Sequence, residues 1–209
     1  MELLVIGAAG RTGRLVVDRA LAEGHRVTAY VREPAAVTAR HERLEVVRGD
    51  VTDAQGVRDV IAGKDVVISI LGVRSRTTTM VFSEGMTHAV RAMEAKGVRR
   101  VMTVSTAGLD TASRIPLLRR LVATYIVERV LRNIYLDLAR MEDELEVSDT
   151  DWTVVRAPLL TDRPATGTYR ASADGLDKPG RISRADLADY IVTHIAAPDT
   201  YGKKVVISC

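Results

Sequence analysis

The first thirty-two residues constrain this chain more than any other stretch. Glu2 to Ile6 is a short apolar run, and Gly7-Ala-Ala-Gly10-Arg-Thr-Gly13 follows at once. Leu15, Val16, Ala20 and Leu21 then recur at helical spacing until Gly24 stops the pattern, and Arg26 to Val31 is a second apolar, β-branched run. This reads as strand, glycine turn, helix, strand: one βαβ unit. Gly7 permits a sharp exit from the strand, because a residue without Cβ takes up positive φ. Gly10 lets the backbone come close to a diphosphate, and Gly13 lets the helix pack tightly on the sheet. The backbone around Ala9, Arg11 and Thr12 lies at the helix start, where free amides and the positive dipole end suit an anion. The turn is read as a dinucleotide seat; a glycine turn in some other α/β protein is the competing reading.

The end of the second strand indicates which dinucleotide. An NAD site places an acid there, about 20 residues past the glycines, to hold the ribose 2′-hydroxyl. This strand ends Tyr30-Val31-Arg32. An arginine suits a 2′-phosphate, which it grips with parallel hydrogen bonds. Glu33 follows and would repel that phosphate unless it points to solvent. NADP is therefore favoured over NAD, with Arg11 either adding positive charge or standing as a solvated side chain.

Composition sets outer bounds. The 209 residues suffice for one α/β domain, 1–209, with a full core. A net charge of +3 with arginines spread along the chain gives no footprint for nucleic acid, while an anionic ligand suits the mild excess. The single cysteine, Cys209, excludes a disulfide framework within the chain and fits a reducing cytoplasm. The start passes straight into a strand, which predicts no signal peptide. No apolar run approaches a membrane span.

Further along, Leu44 to Arg48 predicts a third strand, followed by Asp50, Val51 and a helix from Asp53 to about Ala62. Asp50 and Val51 lie at a strand's carboxyl end, where open α/β sheets bind ligands. Asp50 either accepts from an adenine amino group or simply closes a turn. Asp65 to Leu71 is a strand buried on both faces, ended by Gly72, where the missing side chain admits a ligand to the backbone. Val73 to Thr79 is a polar loop whose Arg74 and Arg76 either attract an anionic substrate or are solvated. Phe82 to Lys96 predicts a helix and Val98 to Ser105 a fifth strand, with Ser105 and Thr106 offering hydroxyls at its carboxyl end. Leu117 to about Val147 reads as helix. Its apolar stripe (Leu121, Tyr125, Val130, Ile134, Leu138) suits packing on the sheet or on a second copy, hence monomer or homodimer. Trp152 to Arg156 is a sixth strand. The irregular segment 159–180 should carry short strands and cover the site. Ser183 and Asp186 open a helix to about Ala196, and Lys203 to Ser208 is a last strand. Strands alternating with helices predict a Rossmann-like, doubly wound, mainly parallel sheet in three α/β/α layers.

These residues together resemble the atypical short-chain dehydrogenase/reductases, and within them the flavin reductase and biliverdin-IXβ reductase group. The carriers are Gly7 to Gly13, Val31-Arg32, Gly49-Asp-Val51, Leu71-Gly72, Ser83-Glu-Gly85 and Ser105-Thr106-Ala107. Arg140-Met141, Asp162-Arg-Pro164, Gly167-Thr-Tyr169, Ile182-Ser183 and Asp186-Leu187 extend the match over nearly the whole chain. The resemblance implies an NADPH-dependent reductase with a shallow site for flavins or other planar conjugated acceptors, the flavin being substrate rather than resident cofactor. It places Ser105 and Thr106 beside the nicotinamide. Leu71, Gly72 and Val73 lie at the fourth strand's tip, and Pro158, Leu159 and Leu160 lie across the cofactor's other side. Two departures stand out. Leu159 replaces a histidine of the biliverdin-reducing relatives, and their strand-end serine aligns with Thr106. Reduction of a tetrapyrrole is thereby put in doubt; a simpler hydride acceptor is not.

Carbonyl reduction also needs a proton donor, commonly a tyrosine with lysine four residues later. The six tyrosines are followed at that distance by Pro34, Arg129, Ala139, Ala173, His194 and Val205. Tyr125 with Arg129 is the nearest imitation, so Tyr125 stays a candidate donor. The favoured acceptor is one that needs little acid catalysis. His25, His41, His88 and His194 are isolated, so no metal is expected. No G-x-S-x-G elbow anchors a hydrolase. Two rivals remain: an NADP-binding redox sensor without turnover, and a sugar-nucleotide epimerase or dehydratase.

Overall fold

The computed structural model describes residues 1–72, 80–107, 132–177 and 179–209. β1 (Glu2–Ile6), α1 (Arg11–Ala22) and β2 (Arg26–Val31) form the opening βαβ unit where the sequence places it. β3 (Leu44–Arg48) leads to α2 (Ala54–Ile61), whose first turn is capped by Asp53 accepting from the Gln55 N–H. β4 (Val66–Ser69) precedes α3 (Val81–Lys96), which ends at Gly97 with φ 72°, the left-handed conformation that stops a helix. β5 (Arg100–Thr106), α4 (Arg132–Glu146) and β6 (Asp151–Ala157) follow. The chain closes with β7 (Leu159–Thr161), β8 (Arg170–Ser172), β9 (Arg181–Ser183), α5 (Arg184–Thr193) and β10 (Lys203–Ser208).

The main sheet has eight strands in the order β3-β2-β1-β4-β5-β6-β10-β8. Every neighbouring pair is parallel except β10 with β8 at the edge. β7 and β9 pair separately, in parallel. The expected doubly wound sheet is therefore what forms.

Helices cover both faces, and β1 shows why its run is apolar throughout. Leu3 and Val5 pack under Val16, Val17 and Ala20 of α1 and Leu187 and Ile191 of α5. Leu4 and Ile6 point the other way, toward Ile61 of α2, Met86 and Met93 of α3, and Met141 and Leu145 of α4. Strand side chains alternate faces, so a strand covered twice needs apolar residues at every position. Each such side chain contributes about 1.5–3 kcal/mol by leaving water.

The structure adjusts several boundaries. β4 stops at Ser69, which leaves Ile70, Leu71 and Gly72 as a peptide leaving the strand tip. α5 ends at Thr193, three residues short of the expected end. Segment 159–180 does carry short strands: β7 within the small sheet and β8 on the main one. Of the apolar stripe, Ile134 and Leu138 join the core on the α3 side. Leu121, Tyr125 and Val130 lie outside the described residues, as do Val73, Arg74 and Arg76.

Candidate functional site

Chain order runs β1, β2, β3 toward one edge and β4, β5, β6 toward the other, so the direction reverses between β1 and β4. At such a reversal the loops beyond the strands' carboxyl ends part, and ligands enter there. The glycine turn occupies that place. Gly7 has φ 85°, and a Cβ on it would stand 2.3 Å from the Ile70 carbonyl oxygen. The turn thus needs glycine for its own conformation and because the end of β4 passes against it. A Cβ on Gly13 would stand 2.2 Å from the Gly7 carbonyl oxygen, so α1 can approach the turn only without a side chain there. Gly10 differs. A Cβ there would meet only the Gly7 oxygen, at 3.2 Å, and α1 has no side-chain cap. The first-turn amides of α1 near Arg11 and Thr12 are left without a side-chain cap among the described residues. Gly72, across the crevice, has open space on its side-chain side.

Ser105 lies one residue before the end of β5, 6% exposed, and its hydroxyl has no hydrogen-bond partner among the described residues. Its cross-strand neighbour on β6 is Arg156, held by Glu142 of α4 through Nε and Nη2 at 3.2 and 2.6 Å. Lys204 of β10 also contacts Glu142, at 3.3 Å, and Glu146. This ion cluster, buried at Arg156 and Glu142 and open to solvent at Glu146, ties α4 to β6 and β10. Thr106 is half-buried and already bonded.

The segment after β6 is pinned over the turn. Asp162 accepts from Arg11 Nη1 at 2.9 Å and from Arg184 Nη1 at 2.7 Å, joining the starts of α1 and α5. Asp186 is fully buried and accepts from the Thr166 and Gly167 amides at 2.8 and 2.9 Å, besides the Ser183 hydroxyl at 2.7 Å. Burial alone would raise the Asp186 pKa; the bonds from Ser183, Gly167 and Thr166 outweigh it and hold the carboxyl below its ordinary value. Tyr169 donates to Asp189 at 3.2 Å, and burial with that carboxylate pushes its phenol up to about 12. Pro158 and Leu160 are half-buried, whereas Leu159 is 66% exposed and presents an apolar side chain at the crevice end of β6.

The other expected positions are distributed as follows. Arg32 is exposed at the end of β2 and forms no ion pair among the described residues. Asp50 uses one carboxylate oxygen on the Thr52 amide and hydroxyl, at 3.1 and 3.0 Å, so it does close a turn. Val51 is 6% exposed, its side chain packs where a Cβ on Gly85 would stand 2.5 Å from it, and its carbonyl oxygen lies 3.0 Å from His88 Nδ1. Leu71 is half-buried against the α2–α3 core. Tyr125 and Val73 lie outside the described residues.

Three carboxylates were not anticipated in these roles. Asp137 of α4 is fully buried and caps α3, accepting from the Phe82 and Ser83 amides at 3.1 and 3.0 Å and the Ser83 hydroxyl at 2.5 Å. Its partners lie 54 and 55 residues away, beyond the reach of local capping patterns. Asp162 carried a family likeness but no role, and Asp186 was read only as a cap on its own helix. Among the described residues no three His, Cys, Asp or Glu side chains could hold a metal ion, and no helix is long and apolar enough to cross a membrane.

With this geometry, comparison with known proteins is decisive for the family: the model of an NAD(P)H-binding family matches residues 7–198. The chain belongs to that NAD(P)H-binding family. An uncharacterized chloroplastic protein of Arabidopsis thaliana is 26% identical over 99% of this chain and 76% of its own length. A photosystem II assembly factor of Synechocystis is 26% identical over 56% of this chain and 37% of its own. Among solved structures, a short-chain dehydrogenase/reductase from Veillonella parvula in complex with NADP superposes with TM-score 0.80 at 19% identity, covering 100% of this chain and 94% of that one. An anaerobilin reductase from Escherichia coli O157:H7 gives TM-score 0.80 at 23% identity, covering 100% and 97%. The chain thus shares its fold with these solved proteins.

Proposed function

We propose that the protein is an NADPH-dependent reductase that delivers hydride to a planar conjugated acceptor, a flavin or a quinone, acting in the cytoplasm as a monomer or homodimer. The observation that carries this reading is the Ser105 hydroxyl, buried near the carboxyl end of β5 with no partner among the described residues. A buried hydroxyl left alone is unfavourable, so a ligand group that bonds to it is favoured. The other residues fit a dinucleotide. The uncapped start of α1 suits a diphosphate, and the open side-chain side of Gly72 leaves room for a ligand. Arg32 suits the 2′-phosphate. Asp50 keeps one carboxylate oxygen for the adenine amino group.

The bound nicotinamide supplies the hydride. Ser105 orients the ring or the acceptor, and exposed Leu159 offers an apolar face for a flat ring. The balancing proton comes from water, since no tyrosine is followed four residues later by lysine. Catalysis is then mainly placement of two rings at reacting distance. The test is NADPH oxidation with FMN, riboflavin and a quinone in turn, in native protein and Tyr125→Phe. Turnover that survives Tyr125→Phe supports water as the proton source. Tight NADPH binding without turnover on any acceptor sinks the reductase reading. It leaves a nucleotide-binding reporter of redox state, which the likeness to an assembly factor favours.

A further inference from the structure

A cavity of about 200 Å³ lies beside the glycine turn and is not used in the reading above. Ala8 of the turn, Arg14 and Val17 of α1, and Val37, Thr38 and Ala39 line it, with Asp18. It therefore joins three things: the backbone that seats a diphosphate, the first turns of α1, and the chain just past β2, where the residue that distinguishes the two nicotinamide dinucleotides stands. Arg14 is aimed at this place. Its Nε donates to the Ala9 carbonyl oxygen at 3.1 Å, folding the side chain back over the turn. Among the described residues no carboxylate pairs with it, which leaves both terminal nitrogens as donors. The Thr38 hydroxyl likewise has no partner among the described residues. Asp18 stands one helical turn further along α1, roughly 6 Å along the axis from Arg14, so the positive charge lies at the crevice end.

Arg32 alone would hold a 2′-phosphate from one side, next to Glu33. A phosphate carrying nearly two charges is bound far better by donors converging from two elements than by one exposed arginine. We propose that Arg14 and the Thr38 hydroxyl complete the seat of the 2′-phosphate, so that the preference for the phosphorylated dinucleotide is set by α1 as well as by the end of β2. This rests on the reading that the glycine turn holds a nicotinamide dinucleotide.

The test is equilibrium binding of NADPH and NADH to native protein, Arg14→Met and Thr38→Val, with 2′,5′-ADP and 5′-AMP as competing probes. Arg14→Met should weaken NADPH and 2′,5′-ADP about tenfold and leave NADH and 5′-AMP within about twofold. Thr38→Val should show the same pattern at about threefold. Equal weakening of both nucleotides, or no weakening of either, overturns the proposal while the cofactor reading stands. Native protein that binds neither dinucleotide overturns the cofactor reading itself.

Discussion

A buried hydroxyl without a partner costs about 1–3 kcal/mol relative to a satisfied one, and Ser105 is in that position. Ser105→Ala should therefore leave the ligand-free protein as stable as before or up to about 1 kcal/mol more stable, while turnover on the best acceptor falls at least about tenfold. Denaturant melts beside steady-state rates check both halves. A stability loss with unchanged rate would show the hydroxyl to be structural. Arg32 makes a separate prediction: Arg32→Ala should bring the NADPH and NADH affinities close together, measured by titration. Equal preference in native and variant protein would show that it does not read the phosphate. At this scale the sequence was readable where a residue acts through its own backbone. Gly7 takes the positive φ and Gly13 the close helix packing that their spacing implied. Asp50 was readable only as a pair of alternatives, because its bond to Thr52 and any bond to adenine use the same group.

Elements are held to one another by carboxylates that act at a distance. Asp186 ties α5 to the segment ahead of β8 through Thr166 and Gly167. Its pKa is below the ordinary value in the fold, so this contribution is fully present above the unfolded value, about 3.9, and is lost as pH falls through the folded one. The amide proton shifts of Thr166 and Gly167 should hold steady down to about pH 4 and move cooperatively below it. In Asp186→Ala they should be displaced at every pH, with stability lower by about 2 kcal/mol from the unsatisfied amides. Amide shifts in native protein that ignore acid would remove Asp186 as the clamp. The strands and most helices were legible as elements, since periodicity and caps are local. The clamp was not, because Asp186 also satisfies a capping pattern with Ser183 and local reading stops there.

Across the whole molecule the two ends of the sheet do different work. Arg100, at the amino end of β5, is 5% exposed and donates to the carbonyls of Ile195, His194 and Asp151 at 2.8, 3.1 and 2.7 Å, over the Tyr201 ring. Burial lowers its pKa to about 10, still well above neutral, so the charge persists and closes the end of α5 against β6. It lies five residues along the strand, roughly 16 Å, from Ser105. Arg100→Met should lower unfolding free energy by about 3 kcal/mol, read from urea melts, yet leave NADPH affinity within about twofold. A matching loss of affinity would mean that the ends are coupled. What the sequence by itself determined was the βαβ start, its glycine turn and the parallel alternating fold, because a turn's conformation and a run's period are properties of neighbouring residues. Only the tertiary structure decided that Ser105 lacks a partner among the described residues, that Asp162 bridges Arg11 and Arg184, and that Arg14 and Thr38 line one cavity. Those facts depend on which distant segments the sheet order brings together, and hydrogen bonds and ion pairs act only at the contact distances that packing sets.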